Sequence, residues 1–137
     1  MNQNIDKVLL KAISRHYQKF GLKYFIKGLN YERCAELPYI IGLLQDRFEK
    51  SLKYLDIGSG EAPLPTYLLK ESEWDITCVD KFSWVRQQKR HAARVMDRKS
   101  VEGRFHIIEK DFFEASLAPE SFDVITNISV IEHFEGD

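Results

Sequence analysis

The order of apolar and polar positions divides the chain into two parts with different periodicity. Over residues 1–50, apolar side chains recur at helical spacing within residues 5–13, and a second apolar stretch follows Pro38. Gly21 and Gly28 are expected to interrupt the helices between these stretches. Proline is tolerated in the first turn of a helix, so Pro38 is interpreted as a helix start. The pattern predicts an N-terminal helical segment over residues 1–50.

From residue 51 onward, short apolar runs alternate with helical stretches. The predicted strands are residues 53–57, 74–80, 104–109 and 122–127, and the predicted helices between them are residues 64–71 and 83–99. Strands that alternate with helices through short turns are typical of a parallel sheet covered by helices on both faces. We therefore expect an α/β fold, a Rossmann-like doubly wound parallel sheet of about four strands over residues 51–137.

A turn with two glycines, Gly58-Ser59-Gly60, follows the first predicted strand. Glycine allows a sharp turn and a close approach of the backbone to a ligand, and the amides of the following helix favour a negative group. The pyrophosphate of a dinucleotide and the carboxylate of a bound amino acid both suit this arrangement. The dinucleotide motif would place a third glycine at position 63, where this chain has Pro63. A nicotinamide-dependent oxidoreductase is therefore the less favoured alternative.

Polar or aromatic residues also follow the other predicted strands. They are Asp80, Phe82, Trp84, Asp111, Phe112 and Asn127. Asp80 comes 20 positions after Gly60, where a carboxylate can accept hydrogen bonds from both ribose hydroxyls of an adenosine. Open α/β sheets bind ligands at the carboxyl ends of their strands, so the four turns together predict one ligand site. A tight turn, a helix cap and core aromatics are the structural alternatives for the individual residues.

Three segments resemble class I S-adenosylmethionine-dependent methyltransferases: YLDIGSGEAP at residues 54–63, Val79-Asp80, and SFDVITNISVIEHF at residues 121–134. The likeness is to the broad small-molecule group (methyltransferase type 11-like) in which a hydrophobic-Glu-His signature follows the fourth strand. It spans about residues 36–137 and is specific for fold and cofactor rather than for substrate. The resemblance implies S-adenosylmethionine as cofactor, S-adenosylhomocysteine as product, and direct methyl transfer to an acceptor, expected to be a small molecule.

The resemblance also assigns roles to residues of this chain. By that likeness Asp56, Gly58 and Gly60 line the methionine end of the cofactor, Asp80 holds the ribose, Asp111 and Phe112 the adenine, and Asn127 the centre of the cofactor, with Ser59, Lys81 and Phe82 completing the cofactor-binding set. Glu132 and His133 are candidates for a general base, although in such proteins the pair more often shapes the pocket. A base is required only if the acceptor must lose a proton before it attacks the methyl group.

Composition and charge narrow the function classes. The 137 residues are 44% hydrophobic and 30% charged, as is usual for one globular domain, and no apolar run approaches the roughly 18 residues that a membrane helix needs. The last part, residues 105–137, holds one basic and eight acidic residues, which does not suggest a nucleic-acid partner. The basic stretch over residues 86–99 is interpreted as a solvated helix face.

Cysteine and histidine usage points to a cytoplasmic protein without a metal. Cys34 and Cys78 lie far apart and form no CxxC pair, which is typical of reduced thiols in a cytoplasmic protein. The four histidines have no metal-ligand spacing with these cysteines, so no metal site is expected.

The sequence ends directly after the fourth predicted strand, whereas the resemblance implies further strands and helices. An open strand edge is an aggregation liability, so we expect either a fragment of a longer protein or a partner, such as a second copy, over that edge. A binding or interaction module without catalysis is the further alternative. The N-terminal helices are expected to lie over the cofactor or substrate entrance, with Arg33, Glu36 and Tyr39 as contacts.

Overall fold

The computed structural model describes residues 5–128 and contains one parallel sheet of four strands. The strands are β1 Lys53–Ile57, β2 Asp75–Asp80, β3 Phe105–Glu109 and β4 Val124–Asn127. They lie in the order β3-β2-β1-β4, with every neighbouring pair parallel. The strand order reverses at β1, because the chain leaves β3 at one edge and returns to form β4 on the other side of β1. The predicted α/β fold with a Rossmann-like parallel sheet is confirmed.

Six α-helices and three short 3-10 turns accompany the described part of the sheet. The helices are α1 Lys7–Gln18, α2 Leu22–Lys27, α3 Tyr31–Leu44, α4 Leu64–Glu71, α5 Gln87–Val95 and α6 Arg98–Arg104, and the 3-10 turns are Gln45–Arg47, Ser83–Arg86 and Phe112–Glu114. None of these helices is both long enough and apolar enough to cross a bilayer. Gly21 and Gly28 lie at the two ends of α2, where interruptions were expected.

Two predicted helix boundaries were wrong. Helix α3 begins well before Pro38, because the Asn30 side chain accepts a hydrogen bond from the Arg33 amide at 2.9 Å and caps the helix. Pro38 therefore lies inside α3. The single helix predicted over residues 83–99 is interrupted at Met96, which is extended, and Asp97 caps a new helix by accepting from the Ser100 amide at 2.9 Å. Local caps outweighed the apolar periodicity at both sites.

The main core lies between one face of the sheet and the helices. Tyr54, Ile76 and Phe105, one from each of three neighbouring strands, are fully buried there. Helix α4 contributes Leu64, Leu68 and Leu69, and α1 and α3 contribute Ile13, Leu37 and Ile41. Each fully buried side chain of this kind contributes about 1.5–3 kcal/mol relative to an exposed one. This packing attaches the N-terminal helices to the same face of the sheet as α4.

The opposite face of the sheet carries a smaller cluster. Leu55, Ile57 and Val79 are buried against side chains of the connection between β3 and β4, among them Phe112 and Phe122. In residues 5–128 this connection, rather than a helix, covers that face. The connection consequently places Asp111 and Phe112 beside the carboxyl ends of β1 and β2.

Candidate functional site

A cleft of about 580 Å³ opens at the carboxyl ends of the strands. Its floor consists of the strand ends and the turns that follow them, namely residues 56–64, 79–82, 84, 111, 112 and 128. Its roof is formed by residues 17, 27–30, 33 and 37 of the N-terminal helical part. The cleft lies where the strand order reverses, which is the position at which open α/β sheets bind ligands.

The glycine turn between β1 and α4 forms the centre of the floor. Gly58 and Gly60 have φ values of 72° and 50°, in the left-handed region that favours glycine. The Gly58 amide donates to the Val79 carbonyl at 2.7 Å, which ties the turn to the end of β2. A Cβ on Gly60 would lie 3.8 Å from Nε1 of Trp84. The positive φ values explain why glycine occupies both positions, and the close approach of a ligand to this turn stays a prediction.

Asp80 is buried at the end of β2 and joins the glycine turn to the next turn of the floor. Its Oδ2 accepts hydrogen bonds from the Gly60 amide at 2.9 Å and from Nε1 of Trp84 at 3.0 Å. Its Oδ1 accepts from the Phe82 amide at 3.0 Å. The residue predicted to hold a ribose therefore also sets the geometry of the two turns that border it.

Gln88 supports the glycine turn from below, and sequence analysis missed it. It is 0% exposed, and its Nε2 donates to the carbonyls of Gly60 at 3.1 Å and Ala62 at 2.8 Å. These bonds fix the orientation of the peptide groups that line the cleft. A signal was present in the sequence, because Gln88 lies between Val85 and Ala92 at helical spacing. A polar residue in a buried apolar stripe needs hydrogen-bond partners.

Asp56 lies near the end of β1 and lines the cleft, and its role at the methionine end of the cofactor stays a prediction from the resemblance. Its Oδ1 accepts from Oγ1 of Thr126 at 2.8 Å, and Thr126 also bonds to the Tyr54 hydroxyl at 2.5 Å. Burial raises the pKa of Asp56 to about 6, while the hydrogen bonds from Thr126 and Ser59 and the charge of Arg33 act in the opposite direction. Asp56 is thus an acidic group that changes its charge close to neutral pH.

The remaining floor residues provide aromatic surface and one more carboxylate. The Phe82 and Trp84 rings lie 4.5 Å apart and are half-exposed, and Nζ of Lys81 lies 5.1 Å from the centre of the Phe82 ring. Asp111 caps the turn after β3 by accepting from the Phe113 amide at 3.0 Å, and its neighbour Phe112 lines the cleft beside it. A planar ring bound in the cleft would meet aromatic side chains on the floor.

Three of the predicted site residues are placed differently or not described. Asn127 pairs in register with Ile57 but is not among the residues that line the cleft, and its buried Oδ1 has no hydrogen-bond partner within residues 5–128. Strand alternation places Asn127 on the sheet face opposite Thr126, which bonds to Asp56, and the predicted contact of Asn127 with the cofactor stays a prediction. Glu132 and His133 lie outside the described residues.

Of the three residues expected to be contacts at the entrance, Arg33 lines the cleft, whereas Glu36 and Tyr39 are not among the lining residues. The Arg33 guanidinium donates to the Ile128 carbonyl at 3.5 Å and forms an ion pair with Glu36. Glu36 is therefore connected to the cleft through Arg33. Tyr39 lines a separate groove between α1 and α3 together with Ile5. The roof further contributes Lys27, so two basic side chains of the roof lie above a floor that holds several carboxylates and Lys81.

Buried rings join the roof to the core. Phe20 stacks on His91 with ring centres 3.8 Å apart, and Nε2 of His91 bonds to the Tyr24 hydroxyl at 3.1 Å. Nε2 of His16 bonds to Oγ1 of Thr66 at 2.8 Å. Burial, with the nearby charges of lysines, lowers the pKa of His16 to about 3.

These contacts form a joint between the roof and the core, and His91, the second histidine of this roof joint, is neutral for a similar reason. Burial first, and then the charges of Arg94 and Lys23, lower the pKa of His91 to about 4. Burial and the Glu61 carboxylate raise the pKa of Tyr24, its hydrogen-bond partner. Neutral histidines therefore hold α1 and α2 against α4 and α5.

Comparison with known proteins identifies the family. The sequence matches the model of a methyltransferase domain family over residues 55–137, more than half of the chain. The chain belongs to this family. The matched segment begins in β1 and includes the glycine turn, Asp80, Asp111 and Phe112. No curated protein matches the chain.

Solved structures of methyltransferases share the fold of this family member. A proposed S-adenosyl-L-methionine-dependent methyltransferase from Methanococcus maripaludis is 22% identical with a TM-score of 0.53, over 70% of this chain and 43% of its own. A methyltransferase from Thiobacillus denitrificans, solved with S-adenosyl-L-homocysteine, is 23% identical with a TM-score of 0.53, over 67% of this chain and 36% of its own.

A third solved structure extends the likeness into the N-terminal helices. YjhP from E. coli is 20% identical with a TM-score of 0.52, over 88% of this chain and 44% of its own. The chain thus spans less than half the length of these three solved structures. At these identities the likeness shows the fold.

Proposed function

We propose that this chain binds S-adenosylmethionine in the cleft and serves methyl transfer to a small-molecule acceptor. The observation that carries the proposal is the joint geometry of the glycine turn and Asp80 at the carboxyl ends of β1 and β2, in a chain of the methyltransferase domain family. Without side chains at Gly58 and Gly60, a ligand can approach the backbone of the turn closely. The Asp80 carboxylate lies at the end of the neighbouring strand, β2. Both features suit the adenosine and amino-acid ends of one elongated molecule.

The residues present fit that cofactor. The volume of about 580 Å³ lies within the range of about 300–1,000 Å³ that is usual for small-molecule sites. Asp56, Asp80 and Asp111 on the floor suit a ligand with a positively charged sulfonium and an ammonium group. Arg33 in the roof suits its carboxylate. When bound, the cofactor supplies an electrophilic methyl group, so the protein supplies position and exclusion of water.

Each wall of the cleft has a role in this proposal. Asp80 accepts hydrogen bonds from the ribose hydroxyls, and Gly58 and Gly60 allow the amino-acid end to approach the backbone. Phe82 and Phe112 provide apolar surface for the adenine, with Asp111 beside them. The helices of the roof exclude water from the reacting atoms.

The cysteines Cys34 and Cys78 are free thiols, which supports a cytoplasmic location.

The nicotinamide alternative is less well supported by the turn itself. Pro63 occupies the position of the third glycine, is buried, and is the N-cap residue of α4. In dinucleotide-binding folds, that glycine permits the helix to pack closely on the strand next to the pyrophosphate. A proline ring at this position adds bulk where the dinucleotide motif keeps the contact between helix and strand free of a side chain.

Calorimetric titration with S-adenosylhomocysteine, with NAD in parallel, tests the proposal. We expect saturable binding of S-adenosylhomocysteine alone, weakened at least about 30-fold by Asp80→Asn, because the ribose then loses charge-assisted hydrogen bonds of about 1.5–3 kcal/mol each. Asp75→Asn is the matched control. Asp75 lies at the opposite end of β2, where its carboxylate pairs with His106 at 2.8 Å. Binding of NAD in place of S-adenosylhomocysteine, or equal effects of both variants, would contradict the proposal.

A further inference from the structure

Asp80 has little capacity left for a ligand in the free protein. A carboxylate offers about four acceptor positions, two on each oxygen. Two donors, the Gly60 amide and Nε1 of Trp84, occupy Oδ2, and the Phe82 amide occupies one position on Oδ1. A vicinal diol needs two acceptor positions on one side of the carboxylate. One of the three present donors must therefore leave before a ribose can bind Asp80 with both hydroxyls.

Only one of these donors belongs to a side chain. The Gly60 amide is part of a turn whose carbonyl is held by Gln88 at 3.1 Å. The Phe82 amide closes a tight turn with the carboxylate two residues before it. The Trp84 indole, by contrast, is 49% exposed and can rotate about its side-chain bonds. The donor that can leave without a rearrangement of the backbone is the indole.

The position of the indole also covers the turn. Nε1 and Cδ1 of Trp84 lie 3.8 Å and 4.0 Å from the place that a Cβ on Gly60 would occupy. The edge of the indole therefore lies against the side of the turn where Gly60 has no side chain. A ligand that used Gly60 and Asp80 together would meet Trp84 first.

We propose that the Trp84 indole is a displaceable plug, a side chain that occupies the ribose subsite at Asp80 until a ligand replaces it. Its displacement lowers the affinity of the cleft for a ligand with a ribose. The indole N–H holds Asp80 while no ligand is bound, and a ribose diol displaces it. This inference rests on the proposed function, since it requires a ligand with a ribose in the cleft. Each ligand that binds Asp80 through a ribose diol must break the hydrogen bond between the Trp84 indole and the Asp80 carboxylate. Trp84 thereby weakens binding and selects for ligands that form new hydrogen bonds with Asp80.

Calorimetry and intrinsic fluorescence with S-adenosylhomocysteine test this plug. Trp84→Phe keeps an aromatic ring but removes the donor, so we expect binding to become roughly two- to tenfold tighter, the equivalent of one net hydrogen bond. Tyr39→Phe is the matched control, because it removes a polar group from an exposed ring in the separate groove between α1 and α3, and it should leave binding unchanged. In an Asp80→Ala background the gain from Trp84→Phe should disappear, since the acceptor of the indole N–H is then absent.

Intrinsic tryptophan fluorescence of the wild-type protein provides a second readout, because it reports a change in the surroundings of Trp84 without a comparison of affinities. The chain has two tryptophans, and Trp74 is fully buried with its indole N–H bonded to the Arg47 carbonyl at 3.1 Å. We expect a saturable change of emission whose midpoint matches the calorimetric Kd and which Trp84→Phe abolishes. Heat of binding without any change of emission, together with equal affinity of Trp84→Phe, would overturn the plug and leave the proposed function standing.

Two other outcomes are equally decisive. Weaker binding by Trp84→Phe would show that the indole is a contact of the bound ligand, which overturns its role as a plug. Absence of binding by both the wild type and Trp84→Phe, in proteins that melt cooperatively, would remove the proposed function and the plug together. Tighter binding by Trp84→Phe with the fluorescence change in the wild type would support both.

Discussion

The floor and the roof of the cleft are held in place by different kinds of interaction. The floor depends on hydrogen bonds to the backbone, such as those from the Gly58 amide to Val79 and from Gln88 to Gly60. The roof depends on packed rings, with Phe20 stacked on His91 at 3.8 Å. Hydrogen bonds of the first kind define atomic positions, whereas apolar packing defines mainly that two surfaces stay together. The residues that we propose as ligand contacts are therefore positioned by hydrogen bonds, whereas the roof is held over them by apolar packing.

The two regions also respond oppositely to protons. The roof joint contains His16 and His91, whose pKa values are lowered to about 3 and about 4. The floor contains Asp56, whose pKa is raised to about 6. Burial is the main cause in all three cases, because it penalises the charged form of either type of group. The two histidines of the roof joint are therefore neutral at neutral pH. Protonation of Asp56 stabilises the floor as the pH falls below about 6.

Removal of the stacked ring should produce the largest loss of stability. Phe20→Ala deletes a buried ring and its contact with His91, so we expect the free energy of unfolding to fall by about 3–4 kcal/mol in urea denaturation. Phe25→Ala, five residues further along at 60% exposure, is the matched control with a change under about 0.5 kcal/mol. Similar losses from both variants would show that the roof is not attached through the rings.

Acidification should weaken the roof before the floor. As the pH falls below about 6.5, the unfolded chain protonates both histidines while the folded chain does not, so their stabilisation is present above about pH 6.5 and is lost toward pH 4. Asp56 acts in the opposite sense between about pH 6 and pH 4, because its folded pKa is raised. Two histidines against one carboxyl leave a net loss of about 2–3 kcal/mol near pH 4.5.

Urea denaturation at several pH values measures this balance. The double variant His16→Gln, His91→Gln should flatten the decrease, although it will lower stability at neutral pH through imperfect packing. Asp56→Asn should make the decrease steeper, because it removes the opposing group. A wild-type stability that stays constant from about pH 7 to about pH 4.5 would contradict the assignment of neutral histidines to the roof joint.

The smallest effect on stability should come with a large effect on binding. Gln88→Met keeps the volume but removes two hydrogen bonds to the glycine turn, so we expect about 1–2 kcal/mol less stability and roughly tenfold weaker binding of S-adenosylhomocysteine. Gln87→Met, on the neighbouring residue of α5, controls for a methionine in this helix and should change neither quantity appreciably. If Phe20→Ala weakened binding more than Gln88→Met, the division of roles between roof and floor would be wrong.

The strands and the glycine turn were predictable because their signals are local. The boundaries of β1 and α4 agree with the predicted residues 53–57 and 64–71, since an apolar run and a turn motif delimit both. The helix predicted over residues 83–99 was divided, because the capping by Asp97 was not weighed against the periodicity. Asp80, Asp111 and Phe112 lie on the cleft as predicted from their positions after strands, although their roles in binding stay predictions.

The amino-acid sequence by itself determined the parallel α/β sheet, the glycine turn and the acidic residue after β2, because each follows from neighbours along the chain. Only the tertiary structure decided which residues complete the site. His16 meets Thr66 and Tyr24 meets His91 across 50 and 67 positions, and Gln88 reaches the turn 28 positions before it. Contacts of this range depend on how helices pack on the sheet, and packing is a property of whole surfaces that no local pattern specifies.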